Sequence, residues 1–312
     1  MYWYVKYPLL LAAGALLACC VYLVWGKHGG HAPVPPRDTG TGTIASQPAP
    51  DGKGHGVAAP GADTLAALAD RLAAVEDQLA KDNPVGARGL AEKVLTAPDV
   101  PRFTPLWFRA ADIIGKANLL ILNSDVPAPE KIRYVIQPGD TLVGVANHFQ
   151  TTVAAIEHGN KLDLTRVTIY PGMVIAVYPA KWSVEVLKSK FVLLLNDGSR
   201  LFKYYRVGIG RQNRTPVGVF KVQTKLREPV WTPPGRVIPY GDPANVLGTR
   251  WLGLQPTDNT DPSLKGFGLH GTWQPETVGS AASEGCVRLK NEDIEELFEI
   301  LPINTRVTIK EE

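Results

Sequence analysis

The chain has 312 residues, of which 45% are hydrophobic and 20% charged, with 26 prolines and 30 glycines. That length exceeds one average domain and the hydrophobic share excludes wholesale disorder, so two or three small folded units joined by connectors are expected. A net charge of +3, with no cluster of Lys and Arg on one face or helix, excludes a dedicated nucleic-acid binder.

Leu9 to Trp25 is an uncharged apolar run, preceded by Lys6 and closed by Gly26 and Lys27. It is near the lower length limit for crossing a bilayer and lengthens into Tyr4 and Val5 when Lys6 snorkels. Leu16-Leu17-Ala18-Cys19 loosely resembles a lipoprotein cleavage box, yet the apolar stretch continues from Val21 to Trp25, past the point where a signal peptide's core ends. The expectation is a single transmembrane helix within 1–26, anchored in the cytoplasmic membrane with the rest of the chain outside it. A lipid anchor is the alternative. Residues 27–61 turn to Gly, Pro, Ala, Thr and Ser, a composition that cannot offset its ordering entropy by burial; it predicts a flexible tether spanning roughly 30–40 Å. His28, His31 and His55 fall in it as solvated spacer residues.

Asp63 opens a helical pattern with Leu65, Leu68, Ala69, Leu72, Val75 and Leu79 on one face. A second helix is predicted from Pro84 to Leu95 and a third from Thr104 to Asn123. Together, residues 62–125 read as a small all-α block, similar to a fragment of tetratricopeptide-type repeat without its period, and are expected to serve as a spacer or docking platform.

Tyr134 to Leu142 reads as a short strand, a Pro-Gly turn and a helix start under Asp140 or Thr141. A second capped helix starts at Thr151-Thr152 and stops near Gly159-Asn160, and Pro171-Gly172 turns the chain into a returning strand. His148 and His158 lack metal-ligand spacing and read as surface residues. This βααβ unit, residues 133–179, resembles a LysM domain on Gly139-Asp140-Thr141-Leu142, Ala146, Asn160 and Gly172. The resemblance implies binding of N-acetylglucosamine-containing glycans, here peptidoglycan, with Asp140, Thr141, Leu142, Ile169 and Tyr170 as contacts. Capping and turn formation alone also explain Gly139, Asp140 and Thr141.

From Trp182 the hydrophobic period changes to two. Phe191–Leu195 and Leu201–Tyr205 flank Asn196-Asp197-Gly198-Ser199 as a β-hairpin, and further strands are predicted at 218–226, 251–255, 268–270, 286–289 and 306–310. One late helix is expected under Asn291, with Ile294, Leu297, Phe298 and Leu301 as its buried stripe. Residues 182–311 thus form a mostly-β domain with one short helix.

Two of the three cysteines, Cys19 and Cys20, lie in the apolar run, so Cys286 is the only thiol beyond it. In an oxidising compartment it has no intramolecular partner and is a reactive candidate; taken alone, such a residue is more often a core thiol. His270 supplies a base if the residues between it and Cys286 loop back, and Gly271 and Gly285 permit close backbone approach, with amides near Gly285 and Cys286 suited to an oxyanion hole. Arg288, two residues beyond Cys286, shares its face on a strand and suits a substrate carboxylate, or equally a surface ion pair.

His270-Gly271-Thr272 followed by Ser283-Glu284-Gly285-Cys286-Val287-Arg288, with Thr215–Phe220 and Leu247–Leu254 upstream, is similar to the YkuD-type L,D-transpeptidases. The resemblance implies a YkuD-type sandwich in which Cys286 attacks the carbonyl of the third stem residue of peptidoglycan and expels the terminal D-alanine. It implies that His270 is the base, oriented by the Gly271 carbonyl, and that the acyl group passes to an amine, a cross-linking step of cell-wall biogenesis and cell shape. Substrate contacts are expected from Arg288, Ser283, Thr272, Trp251 and Trp273, with Trp231 a further groove candidate; each Trp is more often a packing residue. Glu284 departs from the His common there, which is expected to alter charge and substrate fit. No metal or organic cofactor is required. A hydrolase using water on the same acyl-enzyme and a non-catalytic wall binder remain as alternatives.

Overall fold

The computed structural model describes residues 62–80, 82–163 and 168–312. The expected anchor over 1–26 and tether over 27–61 lie outside these residues. Among those described, no helix is long and apolar enough to cross a membrane.

Three helices open the described chain: α1 (Ala62–Ala80), α2 (Pro84–Leu95) and α3 (Pro105–Leu122). Pro occupies the first turn of α2 and of α3, where its missing N–H costs nothing, and the preceding Asn83 and Thr104 accept from the Gly86 and Trp107 amides at 3.0 and 3.4 Å. Leu68, Leu72 and Val75 of α1 pack on Ala87, Ala91 and Val94 of α2 and on Trp107, Ala110 and Ile114 of α3. The same apolar cluster continues into Leu187, Val192 and Leu194 of the β domain. The block is therefore no free spacer: it shares a core with the sheet. Buried Arg88 reinforces the junction, reaching Asn118 at 3.2 Å and Glu130 at 2.8 Å, while Asn118 donates to the Phe202 carbonyl at 2.8 Å.

The next unit is β1 (Ile132–Val135), α4 (Leu142–His148), α5 (Val153–Gly159) and β2 (Val174–Val177), with β1 and β2 antiparallel in the register Ile132↔Val177. Ile136, Val145, Ala146, Ile156, Ile175 and Val177 form its core. Thr141 and Thr152 cap the two helices, accepting from Gly144 and Ala155 amides at 3.0 Å each. Asp140, the other expected cap, instead closes the preceding turn by accepting from Gln137 N–H at 2.8 Å and the Tyr134 hydroxyl at 2.7 Å. Thr152 also donates to the Glu299 carbonyl at 2.5 Å, which seats this module on the β domain's helix.

The β domain contains β3 (Trp182–Leu187), β4 (Val192–Asp197), β5 (Arg200–Arg206), β6 (Ile209–Gly210), β7 (Gly218–Arg227), β8 (Arg250–Pro256), β9 (Gly268–His270), β10 (Ala281–Ser283), β11 (Val287–Arg288), α6 (Asn291–Ile300) and β12 (Arg306–Lys310). The expected sandwich takes the form of one eight-stranded mixed sheet, ordered β11-β9-β8-β7-β12-β3-β4-β5, with β6 and β10 as a separate parallel pair. Ile294 and Leu297 of α6 pack against Leu252, Leu269 and Val287 of the sheet. Asn291 does not cap α6. Lys290 holds that position without a side-chain bond, and Asn291 begins the helix with its Oδ1 accepting from the Thr249 amide at 3.2 Å. Leu301 lies just past the helix end, where Lys225 Nζ donates to its carbonyl and to that of Phe298, at 2.7 and 2.5 Å.

Candidate active site

The sheet brings the two chemical motifs together. Strands β9 and β11 are parallel neighbours in the register Leu269↔Val287 and His270↔Arg288, so the side chains of His270 and Arg288 share one face. Trp251 of β8 is in register with His270 and extends that face; its ring stacks on the imidazole at 5.8 Å between centroids and 23° between planes. The opposite face, through Leu252, Leu269 and Val287, is the one covered by α6.

Cys286 stands immediately before β11 rather than inside a strand, in the turn that follows β10. Gly285, at φ +141°, gives that turn a backbone angle that side chains resist. Ser283 fastens it from within, its hydroxyl donating to the Cys286 carbonyl at 2.6 Å and accepting from Gly285 N–H at 3.1 Å. Thr215 fastens it from outside, donating to the Gly285 carbonyl at 2.9 Å and accepting from Gly210 N–H at 2.7 Å. Of the two amides expected to face an oxyanion, that of Gly285 is thus already engaged, and the Cys286 amide is the one with no acceptor among the described residues.

His270 is buried, and its Nδ1 lies 2.6 Å from the Gly271 carbonyl. A carbonyl only accepts, so the proton resides on Nδ1 and Nε2 is left as the basic nitrogen. Burial pushes the imidazole down to about 4 against the pull of the Gly271 carbonyl; nearby Arg288 lowers it further, and the Leu247 backbone works the other way. Burial likewise pushes the Cys286 thiol up to about 11, against the opposing effects of the Gly268 backbone and of Arg288. Both shifts favour the uncharged forms, a thiol on Cys286 and a neutral ring on His270. The Sγ of Cys286 donates to the Gly266 carbonyl at 3.7 Å, not to the ring.

The other expected residues divide. Thr272 is buried and accepts from Gln274 N–H at 3.0 Å, a turn-forming role. Trp273 is half exposed and tilts against Tyr240, whereas Trp231 pairs through its backbone with Ile238. The Nε of Arg288 is buried with no acceptor. In the βααβ module, Asp140 and Thr141 are committed to turn and cap, Leu142 and Ile169 pack partly on its core, and Tyr170 stands 62% exposed. Three residues that the sequence did not place at the site also build it. Thr215 clasps the turn that carries Cys286, Asn291 supports the segment after His270 by way of Thr249, and Phe267 lies against Gly285. Thr215 and Thr249 fall within the two upstream segments that carried the family likeness, which was the available signal. Among the described residues no group of His, Cys, Asp and Glu is arranged to hold a metal.

The described chain thus joins a βααβ module to a mostly-β domain that carries its Cys and His motifs on and beside adjoining strands. Residues 181–309 match the family model described as the L,D-transpeptidase catalytic domain, YkuD, and residues 134–177 match that of the LysM domain. The chain is 31% identical over 183 residues to the putative L,D-transpeptidase YkuD of Bacillus subtilis, covering 57% of this chain and 98% of that protein. It is 37% identical over 109 residues to the putative L,D-transpeptidase YqjB of the same organism, covering 35% of this chain and 59% of that one. L,D-transpeptidase 3 from Mycobacterium tuberculosis aligns at 17% identity and a TM-score of 0.34, over 45% of this chain and 65% of that one, too distant to bear on the site. The chain belongs to the YkuD family of L,D-transpeptidases and carries a LysM domain ahead of its catalytic domain.

Proposed function

We propose that the protein is a cysteine L,D-transpeptidase that cross-links peptidoglycan outside the cytoplasmic membrane, using Cys286 as nucleophile and His270 as base. The supporting observation is the Nδ1–Gly271 hydrogen bond, which leaves Nε2 basic on the strand adjoining the nucleophile turn. In this reading the Cys286 proton moves to Nε2 as sulfur attacks the carbonyl carbon of the third stem residue. The Cys286 amide stabilises the oxyanion, and Arg288 receives a substrate carboxylate. The carbon–nitrogen bond to D-alanine breaks, and the departing nitrogen takes the proton from His270, leaving a thioester on Cys286. An acceptor amine then gives its proton to His270, attacks the thioester carbonyl and releases the thiol.

The LysM domain holds the enzyme on glycan strands, with exposed Tyr170 as its leading contact, while the run from Leu9 to Trp25 anchors the chain in the membrane. Incubation with purified tetrapeptide muropeptides, followed by mass analysis, tests the reading. Cross-linked dimers and free D-alanine are expected, with neither from Cys286→Ala or His270→Ala. Free tripeptide without dimers would replace the transferase by a carboxypeptidase, and no product at all would leave a wall-binding protein.

A further inference from the structure

Trp251 on β8 is in register with His270 on β9, and Gly253 on β8 with Gly268 on β9, so these four positions form a two-by-two block on one face of the sheet. The indole covers both glycines. A methyl group at Gly268 would meet its Cζ2 and Cη2 at 2.6 and 2.7 Å, and one at Gly253 would meet its Nε1 at 2.8 Å. The ring thus lies down over the glycine pair, where a side chain at either position would push it off.

Laid in this way, it restrains the imidazole in a direction that the hydrogen bond does not. The Gly271 carbonyl, 2.6 Å from Nδ1, holds one edge of the His270 ring, which alone leaves the ring free to rock about that bond. The indole covers a face, at 5.8 Å between centroids and 23° between planes, an offset stack that opposes the rocking and so fixes Nε2 on the far edge. The stack also acts on charge. On taking a proton, His270 becomes a buried cation beside Arg288, its register partner on β11. Burial and that guanidinium oppose the charge, the Gly271 and Leu247 backbone favours it, and the Cys286 thiol is the other titratable group beside Arg288. Among the described residues Trp251 is the one aromatic ring stacked on His270, and the negative face of an indole attracts a cation within about 6 Å of its centroid.

We propose that Trp251 is a positioning residue of the transfer reaction, acting through His270 by holding the plane of the imidazole and facing its protonated form, in place of the peptide contact expected from sequence. The inference rests on the transpeptidase reading and deepens it. Gly253 and Gly268 belong to the same device, since their missing side chains are what let the indole lie against the sheet.

The test measures D-alanine release from a tetrapeptide donor by the full chain and its variants, with kcat and KM taken separately and folding checked by urea unfolding. Trp251→Leu and Trp251→Met fill space without an aromatic face, and both are made so that one folded variant suffices. Each is expected to lose about tenfold in kcat while KM stays within about twofold. Trp251→Phe keeps an aromatic face and should recover kcat to within about threefold of the unaltered chain. An unchanged kcat, a KM that rises with kcat intact, or a Phe variant as slow as the Leu and Met variants overturns the inference alone, as does failure of both of those to fold. No release of D-alanine by the unaltered chain takes the inference down together with the transpeptidase reading.

Discussion

The charge state of Cys286 makes a quantitative prediction that separates a neutral thiol and imidazole from a preformed thiolate–imidazolium pair. With the thiol pushed up to about 11 and the ring down to about 4, thiolate is scarce at neutral pH. At pH 7 the ionised fraction is on the order of one in ten thousand, against about 3% for a free cysteine. The higher basicity makes each thiolate roughly tenfold more nucleophilic, so the net rate of alkylation should be about thirtyfold below that of free cysteine. The perturbation is pH and the assay is iodoacetamide labelling, read by mass on the peptide containing Cys286 so that Cys19 and Cys20 do not contribute. The rate should climb close to tenfold per pH unit from 6 to 9 without a plateau. A rate that is flat between pH 5 and 8 would refute the argument, because only a thiolate held by a protonated His270 reacts independently of pH in that window.

Buried His270 also links folding to pH. Its folded pKa is depressed, so the native state favours the neutral ring; the stability it contributes is present above the unfolded value and lost as pH falls through about 4. Unfolding free energies from urea titrations should fall by up to ~3 kcal/mol more between pH 6.5 and 4 in the unaltered chain than in His270→Gln. Thr215→Val leaves the Gly285 carbonyl and the Gly210 amide without their shared hydroxyl. It should cost about 1–3 kcal/mol in denaturant unfolding and slow acylation of Cys286. Gly248→Ala places a methyl group against Asn291 and the Gly271–Thr272 backbone at a φ of +64°, and should destabilise by more than ~2 kcal/mol while disturbing His270; an unchanged melting curve would contradict the packing described. Tyr170→Ala should weaken retention on insoluble peptidoglycan in a pull-down, with cleavage of soluble tetrapeptide unaffected.

Much of this architecture is legible in the chain because its signals are local. Asn83-Pro84 and Thr104-Pro105 announce helix starts that the side-chain caps reproduce, and the Asn196–Ser199 turn joins two alternating strands. The Cys and His motifs are readable for the same reason, each being a short contiguous string. What escapes is everything decided by distant partners. Strands β6 and β10 are two and three residues long and exist only through each other, so no periodicity marks them. Asn291 suggests a helix cap in sequence, yet its oxygen serves Thr249, 42 residues earlier. Thr215 clasps Gly285 across 70 residues. Nor does sequence reveal the surroundings of the two groups: that His270 is buried and Cys286 partly so follows only from how distant segments pack.

The shared core between the helical block and strands β3 and β4 has a mechanical consequence. Because Leu72 and Trp107 belong to the same packed cluster as Leu187 and Val192, no hinge separates the helices from the sheet that carries Cys286. Tension applied at the N-terminal helices would pass into the sheet through interlocked side chains instead of being absorbed by a pivot. Cutting the chain at Trp182 would uncover Leu187, Val192 and Leu194, the sheet residues that the helices now shield from water.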